Sequence, residues 1–325
     1  MSMILAGDIG GTNTRLGLFE AHVHRPRRLA VSVFPTLEYT DLSAIITVFA
    51  TDRAVGGAHF DTASFGVAGP VMGDRAQLTN IPWGVDARDI AKAFAIRRVS
   101  LLNDLQAMAY AVPVLEPCEL LVLQEGTPAG GSNMALIAAG TGLGEAVLHN
   151  VGGRFVPLAS EGGHADFAAR NERDVDLLRD LIHRFGHAEV EQVVSGKGLV
   201  NVHRITHTGP CLVVGDLNAP DAPALISASA LERRCPGCKE ALDMFIDAYG
   251  AEAGNLALRS LALGGVFIGG GIAPKILTAL TDGRFVRAFR DKVLPFDDLL
   301  ASIPVKVILN DEAGLLGAAV HASSR

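Results

Sequence analysis

A short segment near the amino terminus has the composition of a turn that binds phosphate. It runs from Gly7 to Asn13 and offers glycines, a hydroxyl and a carboxylate, and Thr14 and Arg15 follow with a second hydroxyl and a positive charge. Convergent N–H groups and small residues suit an anion, and a carboxylate can hold hydrated Mg²⁺. The candidate contacts are Asp8, Gly10, Gly11, Thr12 and Asn13.

Two further glycine-rich segments repeat parts of this composition. They are the turn Gly140–Gly144, with Thr141 as its hydroxyl, and the triplet Gly269–Gly271. Neither a P-loop GxxxxGK[ST] nor a GxGxxG that opens a helix occurs, so the chain is neither a P-loop enzyme nor a Rossmann protein. The alternative is that these are tight turns whose glycines only provide positive φ angles. The combination of three such segments with Asp8 favours phosphate binding.

Asp104 lies where a strand gives way to a helix, a position suited to a general base. The strand covers Val99 to Leu102, and the helix runs from Asp104 towards Val112. Clefts form at the carboxyl ends of strands, and a carboxylate there can orient an attacking hydroxyl and accept its proton. The alternative is an ordinary helix N-cap, a role that aspartate often has.

Polar side chains that suit a sugar follow the second turn. A sugar hydroxyl both donates and accepts hydrogen bonds, so its pocket needs carboxylates, amides and imidazoles. Glu161 and His164 flank two glycines that allow a sharp turn, and Glu191 precedes Val193–Gly196. Taken singly, His164 is more often a structural histidine, and Glu191 is more often a solvated helix carboxylate.

Two other motifs have the spacing of metal or redox sites. His183, His187 and Glu191 are spaced by four residues, but Gly186 weakens the helix and no HExxH occurs, so we expect no metal there.

Cys235 and Cys238 have the CxxC spacing of a redox dithiol. They do not follow the strand of a βαβ unit, and no second CxxC completes a zinc site. We therefore expect exposed or half-buried thiols at a helix start.

The elements that must position these residues alternate between strand and helix patterns. Apolar runs predict one hairpin from Met3–Ala6 and Arg15–Phe19, and a second from Asn133–Ala138 and Ala146–Leu148. Helical spacing begins after Asp41, a predicted N-cap, and continues to Ala54. Other predicted strands are Leu29–Phe34, Ala63–Val67, Glu119–Gln124, Val266–Gly269 and Val305–Leu309, and mainly helical segments cover residues 174–264 and 313–322.

Length and composition favour two α/β domains. A chain of 325 residues exceeds one comfortable core, and 49% hydrophobic residues exclude a disordered chain. The net charge of −7 without a basic stripe argues against a nucleic-acid partner. The uncharged run Ser260–Pro274 is too short to span a membrane, and no signal-peptide pattern occurs. Four cysteines fit a reducing compartment, so we expect a cytoplasmic protein.

The sequence resembles the bacterial glucokinase family, within the actin/hexokinase-type ATPase superfamily. Leu5–Asn13 is similar to the first phosphate motif of that superfamily, and further matches follow in the family's order along nearly the whole chain. Each motif is modestly specific, whereas the ordered set is highly specific. The other matching segments are Gly66–Pro70, Leu78–Trp83, Leu102–Asp104, Ala139–Gly144, Ser160–His164, Val194–Gly196, Gly269–Ile272 and Gly314–Gly317.

The resemblance implies an α/β fold of two RNase H-like (actin-like ATPase) domains with an interdomain cleft. It also implies phosphorylation of the 6-hydroxyl of glucose by ATP and Mg²⁺, and a homodimer. The smaller domain would comprise residues 1–110 and 311–325, with the first phosphate motif. The larger domain, residues 111–310, would carry the second phosphate motif, the sugar contacts and the adenosine loop.

The resemblance also assigns roles to particular residues. Asp104 would be the catalytic base, and Asp8 would contact Mg²⁺ through water. Residues 8–13 and the second turn would contact the nucleotide phosphates. The implied sugar-binding residues are Asn103, Asp104, Glu161, His164 and Glu191, and the implied nucleotide contacts on the other turns are Gly140, Thr141, Gly142, Gly270 and Gly271.

Two relatives of this fold serve as alternatives. The related repressor–kinase group carries a cysteine-rich zinc motif soon after its Glu-x-Gly-His segment, but here Ala165–Phe167 follow and no cysteine occurs before Cys211. A non-catalytic sugar-sensing regulator would be expected to carry a DNA-reading module, usually before the phosphate motif, and to lack Asp104. Here the sequence begins at the phosphate motif and Asp104 is present, and both observations favour the kinase.

Overall fold

The computed structural model describes residues 2–78, 81–207 and 209–324, with only the main chain of Ala159. The chain forms two compact units. The first comprises Met1–Pro117, Phe155–Ala159 and Asn310–Arg325, and the second comprises Cys118–Arg154 and Ser160–Leu309. The expected domain ranges differ from these units, because they place residues 111–117, residues 155–159 and Asn310 in the larger domain. Thr79 and Asn80, within the family match Leu78–Trp83, lie outside the described residues.

Strands and helices alternate along the chain. The strands are β1 (Met3–Ile9), β2 (Asn13–Glu20), β3 (Arg27–Pro35), β4 (Thr62–Val67), β5 (Val71–Met72), β6 (Arg75–Gln77), β7 (Gly84–Asp86), β8 (Arg98–Asn103), β9 (Leu120–Gln124), β10 (Met134–Ala139), β11 (Leu143–Val151), β12 (Arg154–Ser160), β13 (Val266–Gly269) and β14 (Val305–Ile308). The helices are α1 (Leu42–Thr51), α2 (Ala87–Ala93), α3 (Asp104–Ala111), α4 (Glu172–Phe185), α5 (Gly196–Ile205), α6 (Ala222–Leu231), α7 (Pro236–Ser260), α8 (Leu277–Leu280), α9 (Arg284–Arg290), α10 (Phe296–Ala301) and α11 (Ala313–Ser323). No helix in the described ranges is both long and apolar enough to cross a bilayer.

The main sheet of the first unit has the strand order β3-β2-β1-β4-β8. The predicted hairpin is confirmed as β1 and β2, and β4 and β8 continue the sheet parallel to β1. Ile9 pairs with Val67, and Val67 pairs with Asn103, so the three parallel strands end at one edge. This edge therefore carries both the first glycine turn and the start of α3.

Strand β1 is covered on both faces, which explains its nearly continuous apolar sequence. Successive side chains of a strand point to opposite faces of the sheet. Ile4 packs with Leu315 of α11, whereas Leu5 packs in the core that contains Phe49 of α1. Asp8 is an even number of residues from Ile4, so its side chain lies on the α11 face.

The sheet of the second unit contains strands in the order β11-β10-β13-β14-β9. The second predicted hairpin is confirmed as β10 and β11, and β13 and β14 lie parallel to β10. Ala138 pairs with Gly269, so the turn 140–144 and the glycine triplet follow neighbouring strand ends.

The fully buried Tyr249 of α7 joins these two strand ends. Its hydroxyl accepts a hydrogen bond from the N–H of Ala139 at 3.2 Å. The same oxygen lies 3.4 Å from the carbonyl oxygens of Ile137 and Gly269. The side chain thereby fixes the backbone directly before both glycine segments.

Several short elements were not predicted from the sequence. Strands β5, β6 and β7 form a separate antiparallel sheet in the first unit. Each is two or three residues long, too short to show an alternating pattern. Helix α2 and strand β12 are also additional.

Candidate active site

The first glycine turn is held by hydrogen bonds that leave its tip open. The N–H of Gly10 donates to the carbonyl of Asn13 at 3.0 Å, and the hydroxyl of Thr36 donates to the carbonyl of Gly10 at 2.9 Å. Thr12 and Asn13 are exposed, and Gly11 is partly exposed. Thr14 is not available to a ligand, because it is fully buried with its hydroxyl 3.0 Å from that of Thr36.

Asp8 lies just before this turn in an unfavourable position for a negative charge. Burial and the charge of Asp104 raise the pKa of Asp8 to about 6, and Arg15 opposes the rise. The Arg15 guanidinium is 4.0 Å from the carboxylate, whose side chain is 27% exposed. A Cβ at Gly314 would lie only 3.3 Å from the carboxylate, so glycine there allows α11 to begin against Asp8.

Asn103 and Asp104 stand at the same sheet edge, with distinct roles. The side chain of Asn103 caps α3, since its Oδ1 accepts from the N–H of Leu105 at 3.0 Å. Asp104 is the first residue of the helix and is exposed, so the N-cap alternative for Asp104 is wrong. Desolvation raises the pKa of Asp104, while hydrogen bonds from the N–H groups of Leu105 and Asp104 partly oppose the rise. The arrangement leaves Asp104 free to accept a proton.

In the second unit, Glu191 supports the turn 140–144. Its Oε2 accepts from the N–H of Leu143 at 2.8 Å, and a Cβ at Gly142 would lie 2.4 Å from that oxygen. Glu191 is therefore not a solvated helix carboxylate. The N–H of Gly140 donates to the carbonyl of Gly142 at 2.8 Å, which closes the turn, and Thr141 is exposed.

A cavity of about 810 Å³ opens beside this turn within the second unit. Gly140 and Thr141 line it, together with Ile272, which follows the glycine triplet. Gly270 has a φ of 83° directly after β13, a conformation that favours glycine, and Gly271 is exposed. The volume and the mixed lining suit a small organic ligand. Other lining residues include Ser195, Leu217, Asn218, Pro220, Pro223 and Lys275.

Glu161 and His164 flank a single 3₁₀ turn in the second unit. Both are exposed, and the N–H of His164 donates to the carbonyl of Glu161 at 3.0 Å. His164 Nδ1 donates to Glu189 Oε2 at 2.8 Å, so Nε2 is the nitrogen that can contact a ligand. The hydrogen bond to Glu189, then the charges of Glu191, Glu189 and Glu161, raise the pKa of His164 against its desolvation.

Glu189 is a site residue that sequence reasoning missed. It also pairs with His187, whose Nε2 is 2.6 Å from Glu189 Oε1. Glu189 and Gln192 form a capping box at the 3₁₀ turn 190–192. The E-x-x-Q spacing of such a box was a signal that could have indicated this arrangement.

A second unpredicted feature is the buried carboxylate of Glu145, whose Oε2 would lie 2.2 Å from a Cβ at Gly162. Burial and the charge of Glu252 raise the pKa of Glu145 to about 7, against the opposing effect of Arg259. Arg259 hydrogen-bonds Glu252 and lies 3.8 Å from Glu145. No spacing rule points to this pair, because its members are far apart in sequence.

Two side observations concern the motifs set aside above. Helix α4 ends at Phe185, with Gly186 left-handed, so His183 and His187 do not share a helix face. The prediction for the CxxC cysteines is wrong for Cys238, which is fully buried.

Known proteins match this chain along its length. The glucokinase family model matches residues 5–325. A glucokinase of Nostoc sp. is 37% identical, with 99% of each chain covered. The crystal structure of a glucokinase from an Antarctic psychrotroph superimposes with a TM-score of 0.90 at 31% identity, covering 100% of both chains. A ROK family glucokinase from Streptomyces griseus, crystallised with glucose and AMPPNP, shares the fold, with a TM-score of 0.63 at 21% identity and 100% of both chains covered. These matches confirm the predicted α/β actin-like ATPase fold, and the chain belongs to the glucokinase family.

Proposed function

We propose that this chain transfers the γ-phosphoryl group of ATP to the 6-hydroxyl of glucose, giving glucose 6-phosphate and ADP. The observation that carries the proposal is the sheet edge where Asp8, the turn 10–13 and Asp104 meet in one unit. A phosphate-binding turn beside an exposed carboxylate that can accept a proton is what phosphoryl transfer to a hydroxyl requires. The full-length match to glucokinases supports glucose as the acceptor.

Asp104 acts as the base for the sugar hydroxyl. As the hydroxyl oxygen forms its bond to the γ-phosphorus, the O–H proton passes to the carboxylate, and the bond to the ADP oxygen breaks. A raised pKa makes Asp104 a better proton acceptor than an ordinary aspartate. Its position at a helix start capped by Asn103 keeps the carboxylate in a fixed place.

The sugar contacts proposed are Asn103, Asp104, Glu161, His164 and Glu191. The exposed Glu161 carboxylate accepts from sugar hydroxyls, and His164 presents Nε2 because Glu189 occupies Nδ1. One carboxylate oxygen of Glu191 accepts a hydrogen bond from the N–H of Leu143, and the other oxygen is available to a sugar hydroxyl.

ATP is bound by the glycine turns. The proposed phosphate contacts are those of residues 10–13 and of Gly140, Thr141 and Gly142, whose turn opens on the cavity of about 810 Å³. Gly270 and Gly271 lie on the adenosine side. The Streptomyces griseus relative, crystallised with glucose and AMPPNP, supports both substrates.

Mg²⁺ fits the residues around Asp8. Burial and Asp104 raise the pKa of Asp8 although Arg15 lies 4.0 Å away, so Arg15 compensates the negative charge only in part, and a divalent cation would supply the rest. Asp8 would hold the ion through its water shell. Once bound, the ion neutralises charge on the transferring phosphate oxygens.

A homodimer, a cytoplasmic location and a role in supplying glycolysis with glucose 6-phosphate complete the proposal. The resemblance to the glucokinase family supports all three. Light scattering of the purified chain should give the mass of two chains, and the mass of one would contradict the dimer.

Substrate profiling tests the proposal. The purified chain is assayed with glucose, mannose and glucosamine as acceptors, and with ATP and polyphosphate as donors, with and without Mg²⁺. We expect the highest kcat/KM for glucose with ATP and Mg²⁺, and a 6-phosphate product by ³¹P NMR. Glucose binding without turnover would instead indicate a sugar-sensing regulator, and a different preferred hexose would contradict the substrate.

A further inference from the structure

Three cysteines and two histidines, none of them assigned to a substrate, meet in the second unit. They come from the end of α5, the segment after it, and the start of α7. We call this group the His/Cys cluster, and its members are His203, His207, Cys211, Cys235 and Cys238.

The spacing within the cluster fits four-coordinate metal binding. The ligating atoms of His203, His207, Cys211 and Cys238 all lie within 4.8 Å of one another. The sulfurs of Cys211 and Cys238 are 3.8 Å apart. In a tetrahedral zinc site with Zn–S of about 2.3 Å and Zn–N of about 2.0–2.1 Å, neighbouring ligand atoms are about 3.3–3.8 Å apart. To reach that geometry, the rings of His203 and His207, which are stacked with their centroids 3.8 Å apart, must turn so that a nitrogen of each faces the ion.

The hydrogen bonds of His207 indicate which of its two nitrogens can bind a metal. Its Nδ1 lies 3.0 Å from the carbonyl oxygen of His203, and a carbonyl can only accept, so Nδ1 carries the proton. Nε2 therefore carries a lone pair and no proton, and it accepts from the S–H of Cys235 at 3.2 Å, a weak bond that a metal ion would replace. An Nδ1–H donated to a backbone carbonyl is the usual support of a histidine that binds metal through Nε2.

His203 provides a second, independent indication of a ligand. Its side chain is 1% exposed, and neither ring nitrogen has a hydrogen-bond partner among the described residues. Buried polar groups are almost always paired, so such an imidazole calls for an explanation.

We propose that His203, His207, Cys211 and Cys238 bind one Zn²⁺ ion in a closed structural site. Two thiolates balance the charge of the ion, and mixed sulfur and imidazole ligands in a tetrahedron suit zinc. Cys235, with its sulfur 3.9 Å from that of Cys211, lies beside the ion without binding it.

The site would fix the carboxyl end of α5 to the amino end of α7. At its other end, α5 begins at Gly196, whose N–H donates to the carbonyl of Gly140 at 2.9 Å. The proposed ion therefore restrains a helix that starts against the second glycine turn. This role is structural and does not depend on the proposed sugar substrate.

Metal analysis of the untagged full-length chain tests the site. After expression with added zinc and dialysis against metal-free buffer, we expect inductively coupled plasma mass spectrometry to find about one zinc ion per chain. The double variant Cys211→Ser/Cys238→Ser should lose the ion. The matched control Cys118→Ser changes an exposed cysteine outside the cluster and should retain it. Metal-free wild-type protein, or equal zinc in both variants, would overturn the proposal.

A measurement on the wild-type chain covers the case in which the double variant does not fold. Cobalt added to chelator-treated protein should give the thiolate-to-metal charge-transfer band of a tetrahedral site, and its absence counts against the site. Thiol titration of the purified protein after unfolding in chelator should give all four thiols of the sequence. A disulfide between Cys235 and Cys238 in metal-free protein would instead identify a redox pair and overturn the zinc site.

Discussion

Replacing Tyr249 with Phe removes one buried hydroxyl and little else. The ring still packs against Phe285, with centroids 5.5 Å apart, but the N–H of Ala139 loses its partner at 3.2 Å. Leaving one buried donor unpaired costs about 1–3 kcal/mol. Burial raises the pKa of Tyr249 far above its usual range, so the lost group is a neutral hydroxyl at any assay pH. We therefore expect the free energy of unfolding to fall by about 2 kcal/mol.

Differential scanning calorimetry measures this loss. For a unit of about 150–250 residues, each kcal/mol lowers Tm by about 2–4 °C, so the second unit should melt about 4–8 °C lower. Because Ala139 precedes the turn 140–144, KM for ATP should rise more than KM for glucose. The control is Tyr39→Phe, since the Tyr39 hydroxyl has no hydrogen bond to another described residue. Equal Tm values for the wild type and Tyr249→Phe would refute the reasoning.

Two further predictions concern the carboxylates of the second unit. Glu161→Ala should raise KM for glucose sharply in a coupled assay, whereas Glu125→Ala, at another exposed position, should not; an unchanged KM would contradict the sugar contact. Because the pKa of Glu145 rises from 4.5 to about 7 on folding, its contribution to stability is present below about pH 4.5 and is lost as pH rises to 7. Glu145→Gln should therefore reduce the fall in unfolding free energy between about pH 4.5 and 7, measured by urea unfolding at several pH values. The same pH dependence in the variant and the wild type would show that Glu145 is not protonated in the folded protein.

Sequence patterns were sufficient for the framework of the fold. The two hairpins around Gly10–Asn13 and Gly140–Gly144 follow from apolar runs flanking glycine turns, and both are confirmed. The helix after Asp41 begins as predicted, because the Asp41 side chain accepts from the N–H of Ala44 at 2.8 Å. Strands β5 to β7 escaped prediction because elements of two or three residues have no measurable period.

The candidate site was predictable where its residues sit at strand ends. Asp104 was identified because a strand ends just before it, whereas Asn103 was assigned from the family resemblance, and the structure adds that Asn103 is the cap. Glu191 needed the family resemblance, since its contact with the N–H of Leu143 spans a long sequence separation.

Long-range pairings also explain what the sequence did not reveal about the cysteines. The CxxC of Cys235 and Cys238 lacks a second CxxC, which made a zinc site unexpected. Folding brings Cys211 and two histidines of α5 and its extension to the start of α7, and no local spacing rule describes that set. The same holds for the pairing of Glu145 with Glu252.

The kcat of Asp104→Asn tests the central claim most directly. The substitution keeps the shape of the side chain and the Asn103 cap of α3 but removes the proton acceptor. Loss of a positioned base lowers kcat by about 10²–10⁴-fold, so the coupled assay with saturating glucose and ATP should show a fall of that size. Asp89→Asn, in the first turn of α2, is the matched control and should keep wild-type kcat. A near-wild-type kcat for Asp104→Asn would contradict the account of phosphoryl transfer given above.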